Sequence, residues 1–327
     1  MDQKLKDKKI LITGGLGFIG SNLARRAVEE GAEVTLFVRS GKSLENIQDI
    51  KEKVSVIEGE ISKNEDLEKA VKDKNYIFHF AWQTDLKKSM ANPEEDISED
   101  LVGVIKLLEV CKNHNKDAKI IFASSVTVIG ETDKLSPNEL DKENPLSIYE
   151  ANKLIAEKYL KIYYDVHGIK STVLRISNVF GERQRIDNPN RGILNFMIGR
   201  ALRGEDLTVY GDGEFVRDYC YIQNYMDAFI LSAISDKTNG EVFTLGSGEG
   251  RTFNEVVRKI KEIVEEMSGK NVKITHVPFP EGENKINKRN FIADFSKFTK
   301  STGWKPEISF ENGLRRTIEF YYNKGYK

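Results

Sequence analysis

Tyr149-Glu150-Ala151-Asn152-Lys153 sets a phenol and an ammonium four residues apart. On a helix, positions i and i+4 share a face, so the two groups can meet in one site. A neighbouring cation favours the phenolate and makes a tyrosine a usable acid/base near neutral pH. Upstream, Lys119-Ile120-Ile121-Phe122-Ala123 reads as a strand that ends in Ser124-Ser125. A Ser125 hydroxyl at that strand end can hydrogen-bond the same substrate oxygen that Tyr149 protonates or deprotonates. The Tyr–Lys spacing alone also fits a surface pair, and the serine is what favours an acid/base site.

Thr13-Gly14-Gly15-Leu16-Gly17-Phe18-Ile19-Gly20 supplies a second chemistry. It follows the apolar Ile10-Leu11-Ile12 and precedes a stretch of helical periodicity beginning at Ser21. Gly14 and Gly17 allow a tight turn and close approach to a pyrophosphate. Gly20 allows the helix to pack against the strand. The free N–H groups and positive end of that helix then face the anion. A bound dinucleotide would bring a nicotinamide cation to reinforce the effect of Lys153 on Tyr149.

The elements that must position these groups alternate along the chain. Strands are expected at 10–12, 34–38, 54–57, 76–80, 119–123 and 171–175. Helices are expected between them, at 21–30, 64–73, about 95–113 and 148–167. Near-continuous apolar strands alternating with helices imply an α/β fold with a doubly wound parallel sheet covered on both faces. Ligands on such a sheet bind beyond the carboxyl ends of its strands. Residues 1–176 are therefore read as a Rossmann-type nucleotide-binding domain and 177–327 as a smaller mixed α/β substrate-binding part. A strand at 241–245 returns to the core. The polar stretch 181–190 reads as a loop, followed by a helix at 192–204, a strand at 207–210 and a turn at Gly211-Asp212-Gly213. A helix at 252–267, a strand at 271–277 and a helix at 310–323 complete this part. No linker separates the two parts, so they should share a cleft.

Composition excludes several partners. Lys and Arg total 50 against 51 Asp and Glu, so no global field recruits nucleic acid or an anionic membrane. Met1 to Lys9 is polar and lysine-rich, so no signal peptide is expected, and no apolar run is long enough to span a bilayer. The expected location is cytoplasmic. Cys111 and Cys220 lie far apart without metal-ligand spacing, so buried thiols in a reducing compartment are expected and no metal site is.

Taken together, the glycine turn, the serine after strand five and the YxxxK helix resemble the extended short-chain dehydrogenase/reductase family. More narrowly, they resemble its nucleotide-sugar epimerase/dehydratase branch. The similarity also covers Leu174-Arg175-Ile176-Ser177-Asn178-Val179-Phe180-Gly181, Val209-Tyr210-Gly211-Asp212-Gly213, Arg217-Asp218-Tyr219, Ala293-Asp294 and Gly303-Trp304-Lys305-Pro306. This resemblance implies that Ser125 polarises a sugar hydroxyl or ketone, Tyr149 is the acid/base, and Lys153 holds the nicotinamide ribose. It implies an NAD(P) cofactor held by Gly14, Gly17, Phe18, Ile19, Gly20, Arg39, Ser40, Glu60, Ile61, Ala81 and Lys153. It further implies a nucleotide-diphosphate sugar bound by Trp82, Gln83, Thr84, Ser125, Asn178, Tyr210, Arg217 and Arg289. Trp82 fits a packing role equally well. Arg217 suits phosphate oxygens, or pairs with Asp218 or Asp212. His79 reads as structural. A homodimer is implied through helices 95–113 and 148–167, whose Ile97, Leu101, Ile105 and Leu108 and Ile155, Tyr159, Ile162 and Tyr163 recur at helical spacing.

Departures from the family pattern narrow the chemistry. Val38 stands where an acidic residue would take the adenosine ribose 2′-OH, and Arg39 follows it, which leans the cofactor toward NADP. Glu60 replaces an Asp near the adenine. Val126-Thr127 stands where the dehydratases carry Asp-Glu, the decarboxylases a Glu and the 3,5-epimerases a Cys. Neither residue transfers a proton near neutral pH. What remains is oxidation and reduction at one carbon. A 4-epimerase is therefore expected, with an NADPH-dependent 4-ketoreductase as the alternative and a non-catalytic nucleotide-binding protein as an alternative of another class. Asp100 stands where an Asn is usual and Gln223-Asn224 replaces an acidic pair. The second diphosphate Arg is missing near Gly282-Glu283, with Arg289 a displaced candidate.

Overall fold

The computed structural model describes residues 3–279 and 289–326. Among these, seven parallel strands form one sheet: β1 (Lys9–Thr13), β2 (Glu33–Val38), β3 (Val54–Glu58), β4 (Tyr76–His79), β5 (Lys119–Ser125), β6 (Ser171–Ile176) and β10 (Glu241–Leu245). Their order is β10-β6-β5-β4-β1-β2-β3, so the order reverses where β1 neighbours both β4 and β2. The glycine turn leaves β1 at that switch point, where the crevice of such a sheet takes its ligand.

The central strands are apolar almost throughout, because helices cover both faces. One cover includes α1 (Phe18–Glu29), the other α2 (Asn64–Val71), α5 (Val102–His114) and α6 (Ile148–His167). Between β4 and α5 come two short helices, α3 (Leu86–Ala91) and α4 (Pro93–Asp96), and a π-helical turn at Ile97–Leu101. The continuous helix expected over 95–113 is therefore broken. A π turn carries an extra residue, and here Asp96, Asp100 and Leu101 are all buried.

Helix α6 follows its local signals from end to end. Ser147 caps it, accepting the Glu150 N–H at 3.2 Å. Gly168 ends it in the left-handed conformation at φ 71°.

The remaining chain builds the opposite wall. Strand β7 (Asn178–Phe180) lies beside β9 (Val216–Tyr221), which pairs with β11 (Gly250–Thr252). Strand β8 (Leu207–Tyr210) pairs with β12 (Ile274–Val277). Helices α7 (Ile193–Leu202), α8 (Ile222–Ile234), α9 (Phe253–Ser268), α10 (Ser296–Thr302) and α11 (Phe310–Asn323) pack around them. The apolar core runs on without a break from the sheet into this wall, from Ile10 and Phe78 to Val256 and Leu314.

Candidate active site

The glycine turn makes an anion cradle. Gly14 adopts φ +69°, and a Cβ there would meet the Ala81 nitrogen at 2.8 Å. A Cβ on Gly20 would meet the Gly14 carbonyl oxygen at 2.4 Å. Helix α1 has no side-chain cap and no acidic residue in its first turn. Its N–H groups and positive dipole end thus suit a diphosphate, and the residues fit the dinucleotide. Phe18 and Ile19 open that helix, and Ala81 donates its N–H to Thr13 Oγ1.

At the adenosine end, Arg39 and Ser40 are exposed at the tip of β2. Arg39 lies 3.6 Å from the Glu99 carboxylate. Glu60 is exposed beside Lys63, while Ile61 packs against Gly103 of α5.

The three catalytic candidates converge at the carboxyl end of β5 and the first turns of α6. Ser125 Oγ lies 2.8 Å from Thr127 Oγ1 and accepts the Thr127 N–H at 3.2 Å. Thr127 thus orients the serine. Lys153 is buried and donates to the Ala123 carbonyl at 2.7 Å. Its Nζ sits 3.8 Å from the Trp82 ring centre, 4.5 Å from that of Phe122 and 6.0 Å from that of Tyr149.

The Tyr149 phenol departs from expectation. Its pKa lies above the ordinary value, first through burial and then through the Asp100, Glu150 and Asp96 carboxylates, while Ser125 pulls the other way. Lowering it needs added positive charge, which a nicotinamide cation would supply.

His79 ends β4. It is buried, holds Thr13 Oγ1 at 2.8 Å through Nδ1, and burial lowers its pKa to about 3. Both cysteines are buried and unbridged, and burial pushes the Cys111 thiol up to about 12.

The sugar-pocket candidates divide. Trp82 packs edge-on to Phe122 and covers Lys153. Gln83 is buried in a network, donating through Nε2 to the Asp85 carbonyl at 2.8 Å and to Asp96 at 3.1 Å. Thr84 is exposed. Asn178 lies partly buried on β7 opposite Tyr219. Tyr210 is exposed and stacks on Phe279 at 6.1 Å.

Arg289 lies near enough to Arg217 for the two charges to repel. Burial, then Arg289, lowers the Arg217 pKa to about 10. Two partly buried guanidinium groups close together suit a diphosphate. Asp218 accepts from Ser177 Oγ, from the N–H and hydroxyl of Ser247, and from the N–H groups of Gly248 and Ala293. Arg289 reaches Glu150 at 2.8 Å and the Thr127 carbonyl at 3.4 Å. The Gly282-Glu283 turn lies outside the described residues.

Several participants were missed in the sequence. Glu157, one turn beyond Lys153, accepts from Ser124 and from Arg175, whose Nη2 is 2.7 Å away. It ties α6 to the ends of β5 and β6. Glu150 is fully buried beside Tyr149 and anchors Arg289. Asp96 accepts from Asn152 at 2.9 Å. The available signal was phase: Tyr149, Lys153 and Glu157 recur every four residues, as do Asp96 and Asp100.

The chain is similar to known proteins over nearly its whole length. A family model described as GDP-mannose 4,6 dehydratase matches residues 11–317. The solved UDP-N-acetylglucosamine 4-epimerase from Methanobrevibacter ruminantium M1, in complex with UDP-N-acetylmuramic acid, is 34% identical. It superposes with a TM-score of 0.88 over 98% of this chain and 100% of its own. A UDP-N-acetyl-alpha-D-glucosaminuronate decarboxylase from Bacillus cytotoxicus is 31% identical over 96% of this chain and 98% of its own. The UDP-glucose 4-epimerase of Thermus thermophilus, solved with NAD, is 28% identical with a TM-score of 0.83, covering 96% of this chain and 99% of its own.

Proposed function

The chain belongs to the NAD-dependent nucleotide-sugar epimerase/dehydratase branch of the extended short-chain dehydrogenase/reductase family, and we propose that it is a nucleotide-diphosphate-sugar 4-epimerase. The observation that carries this reading is the meeting of Ser125, Tyr149 and Lys153 where Val126 and Thr127 leave no proton carrier for dehydration or decarboxylation. Thr127 is bound to Ser125, and the nearby Glu150 is held by Arg289.

A bound nicotinamide coenzyme would supply the acceptor and donor of a hydride at the sugar C4. Tyr149 removes the C4 hydroxyl proton, Ser125 holds that oxygen, and Lys153 fixes the ribose and favours the phenolate. Arg217 and Arg289 anchor the diphosphate, Asn178 contacts it or the sugar, and Tyr210 flanks the base. Held at the diphosphate by Arg217 and Arg289, a 4-keto sugar could turn and offer its other face to the coenzyme. Relatives that bind UDP-sugars make a UDP-hexose the first substrate to test.

The cofactor reading moves to NAD. Glu99 pairs with Arg39, so its negative charge stands near the place a 2′-phosphate would take, and the Thermus thermophilus epimerase was solved with NAD. A homodimer and a cytoplasmic location complete the reading; among the described residues no helix is long and apolar enough to cross a membrane.

Incubation with UDP-glucose and UDP-N-acetylglucosamine, read by proton NMR at C4, tests the reading. Inversion with no added coenzyme supports it. Stoichiometric consumption of NADPH with a 4-keto sugar would replace it with the reductase.

A further inference from the structure

Trp82 comes just after the point where the loop following β4 closes on the glycine turn. A Cβ on Gly14 would meet the Phe80 carbonyl oxygen at 2.9 Å and the Ala81 nitrogen at 2.8 Å. The Ala81 N–H is fastened to Thr13 Oγ1 at 3.2 Å. On the other side, the Gln83 N–H is held by Asp100 at 3.0 Å, and the Gln83 side chain donates to the Asp85 carbonyl at 2.8 Å. The chain is therefore pinned before and after Trp82, between the dinucleotide cradle and the catalytic set.

The ring itself is well packed. Its face lies 3.8 Å from Lys153 Nζ, and it meets Phe122 edge-on with 5.5 Å between ring centres. A phenyl ring would make both contacts, so packing does not account for an indole. The indole nitrogen is shielded from solvent and has no hydrogen-bond partner among the described residues. A tryptophan N–H can only donate, and a buried donor without an acceptor is costly. The other tryptophan shows the ordinary solution: Trp304 Nε1 donates to the Asn224 carbonyl at 3.0 Å.

We propose that Trp82 is a coenzyme contact whose indole N–H donates to one hydroxyl of the nicotinamide ribose, beside the hydroxyl taken by Lys153. The ammonium has three N–H groups, and the Ala123 carbonyl takes one at 2.7 Å. The ring that carries Nε1 lies against that same ammonium, so two kinds of donor stand side by side. A ribose presents two adjacent hydroxyl oxygens, which such a pair matches. The inference rests on the NAD-dependent reading of the fold and is independent of which sugar carbon reacts.

Trp82→Phe keeps the ring and deletes the N–H. Protein freed of carried-over nucleotide with charcoal is dialysed against labelled NAD, and the variant should bind about fivefold more weakly, the loss of one neutral hydrogen bond. NAD analogues lacking the 2′- or the 3′-hydroxyl of the nicotinamide ribose close the cycle: for one of them, wild type and variant should bind alike. Indole NMR reads the bond itself. Protein labelled with 15N-tryptophan carries two indole N–H groups; NAD should move the Trp82 proton downfield and leave that of Trp304, already bonded, nearly unchanged. A Trp82 signal that NAD does not move, equal affinity in the variant, or a difference that neither analogue abolishes would overturn the proposal. So would a shift produced by UDP-glucose without NAD, which would give the donor to the sugar, and so would protein that binds no NAD. If Trp82→Phe does not fold by thermal melt, the wild-type spectrum decides alone, its signals assigned with Trp304→Phe. Sugar turnover is not read, so a failed epimerase assay leaves this result standing.

Discussion

Tyr149 carries the proposed proton transfer with its pKa raised by burial and three carboxylates. Tyr149→Phe removes the acid/base and should lower turnover by about 10²–10⁴. NAD binding and melting temperature should stay close to wild type, since Lys153 rests on Ala123 and Trp82. Activity within tenfold of wild type would remove Tyr149 from the role. At Arg39, the neighbouring Glu99 should disfavour a 2′-phosphate. NAD should bind at least as tightly as NADP, and Glu99→Gln should improve NADP affinity several-fold by freeing Arg39 for a phosphate. Paired titrations check both points. His79 makes a pH prediction. Its pKa falls from 6.5 to about 3 on folding. The unfolded chain therefore binds a proton that the folded one refuses, and stability falls as pH drops from about 6.5 toward 3. The loss reaches on the order of 4 kcal/mol. Urea unfolding at stepped pH should show a steeper acid loss in wild type than in His79→Gln.

At the scale of elements, Asp218 joins β9 to the β10–β11 loop and to Ala293. Its five hydrogen bonds place donors on both oxygens. Asp218→Asn turns one oxygen into a donor against N–H groups, and should cost about 3 kcal/mol of stability. Chemical denaturation measures this, and a change under 1 kcal/mol would show that the loops adjust. The sequence read Asp218 only as a neighbour of Arg217, because its partners lie 29 to 75 residues away. The same contrast runs through the fold. Helices at 148–167 and 310–323 and strands at 207–210 and 241–245 were legible to the residue, because periodicity, caps and apolar runs are local. Helix α8 was missed: Ile222–Ile234 is apolar on nearly every side, so no amphipathic stripe marks it. Strands β7, β9 and β11 were missed because short pairings far apart in sequence create them. In the site, the glycine turn and the Ser125–Tyr149–Lys153 set were legible from spacing. Glu157, Asp96 and the Glu150–Arg289 pair were not, since each becomes visible only when α6 meets other elements.

On the whole molecule, α5 and α6 pack side by side over the sheet and present their outer faces to solvent. The two stripes expected to meet across a two-fold axis split when seen in three dimensions. Leu101, Leu108 and Tyr163 turn inward, and Tyr163 donates to Glu109. Ile97, Ile155, Ile162 and Val166 stay outside, Val166 at 68% exposure. Three apolar side chains on α6, with Ile97 from the π turn before α5, form a face that a monomer leaves in water, and a two-fold axis would let each copy cover the other. Such an interface would lie directly behind the helix that carries Tyr149 and Lys153, so pairing would also stiffen the site. The protein should run as a homodimer in light scattering at micromolar concentration. Ile155→Glu with Ile162→Glu puts two carboxylates per copy against the axis, and like charges there repel their counterparts. That variant should shift to monomer by at least tenfold in dissociation constant. Both sites are exposed in the chain, so the monomer should keep its fold. A wild-type monomer, or a double variant that still dimerises fully, would move the interface elsewhere.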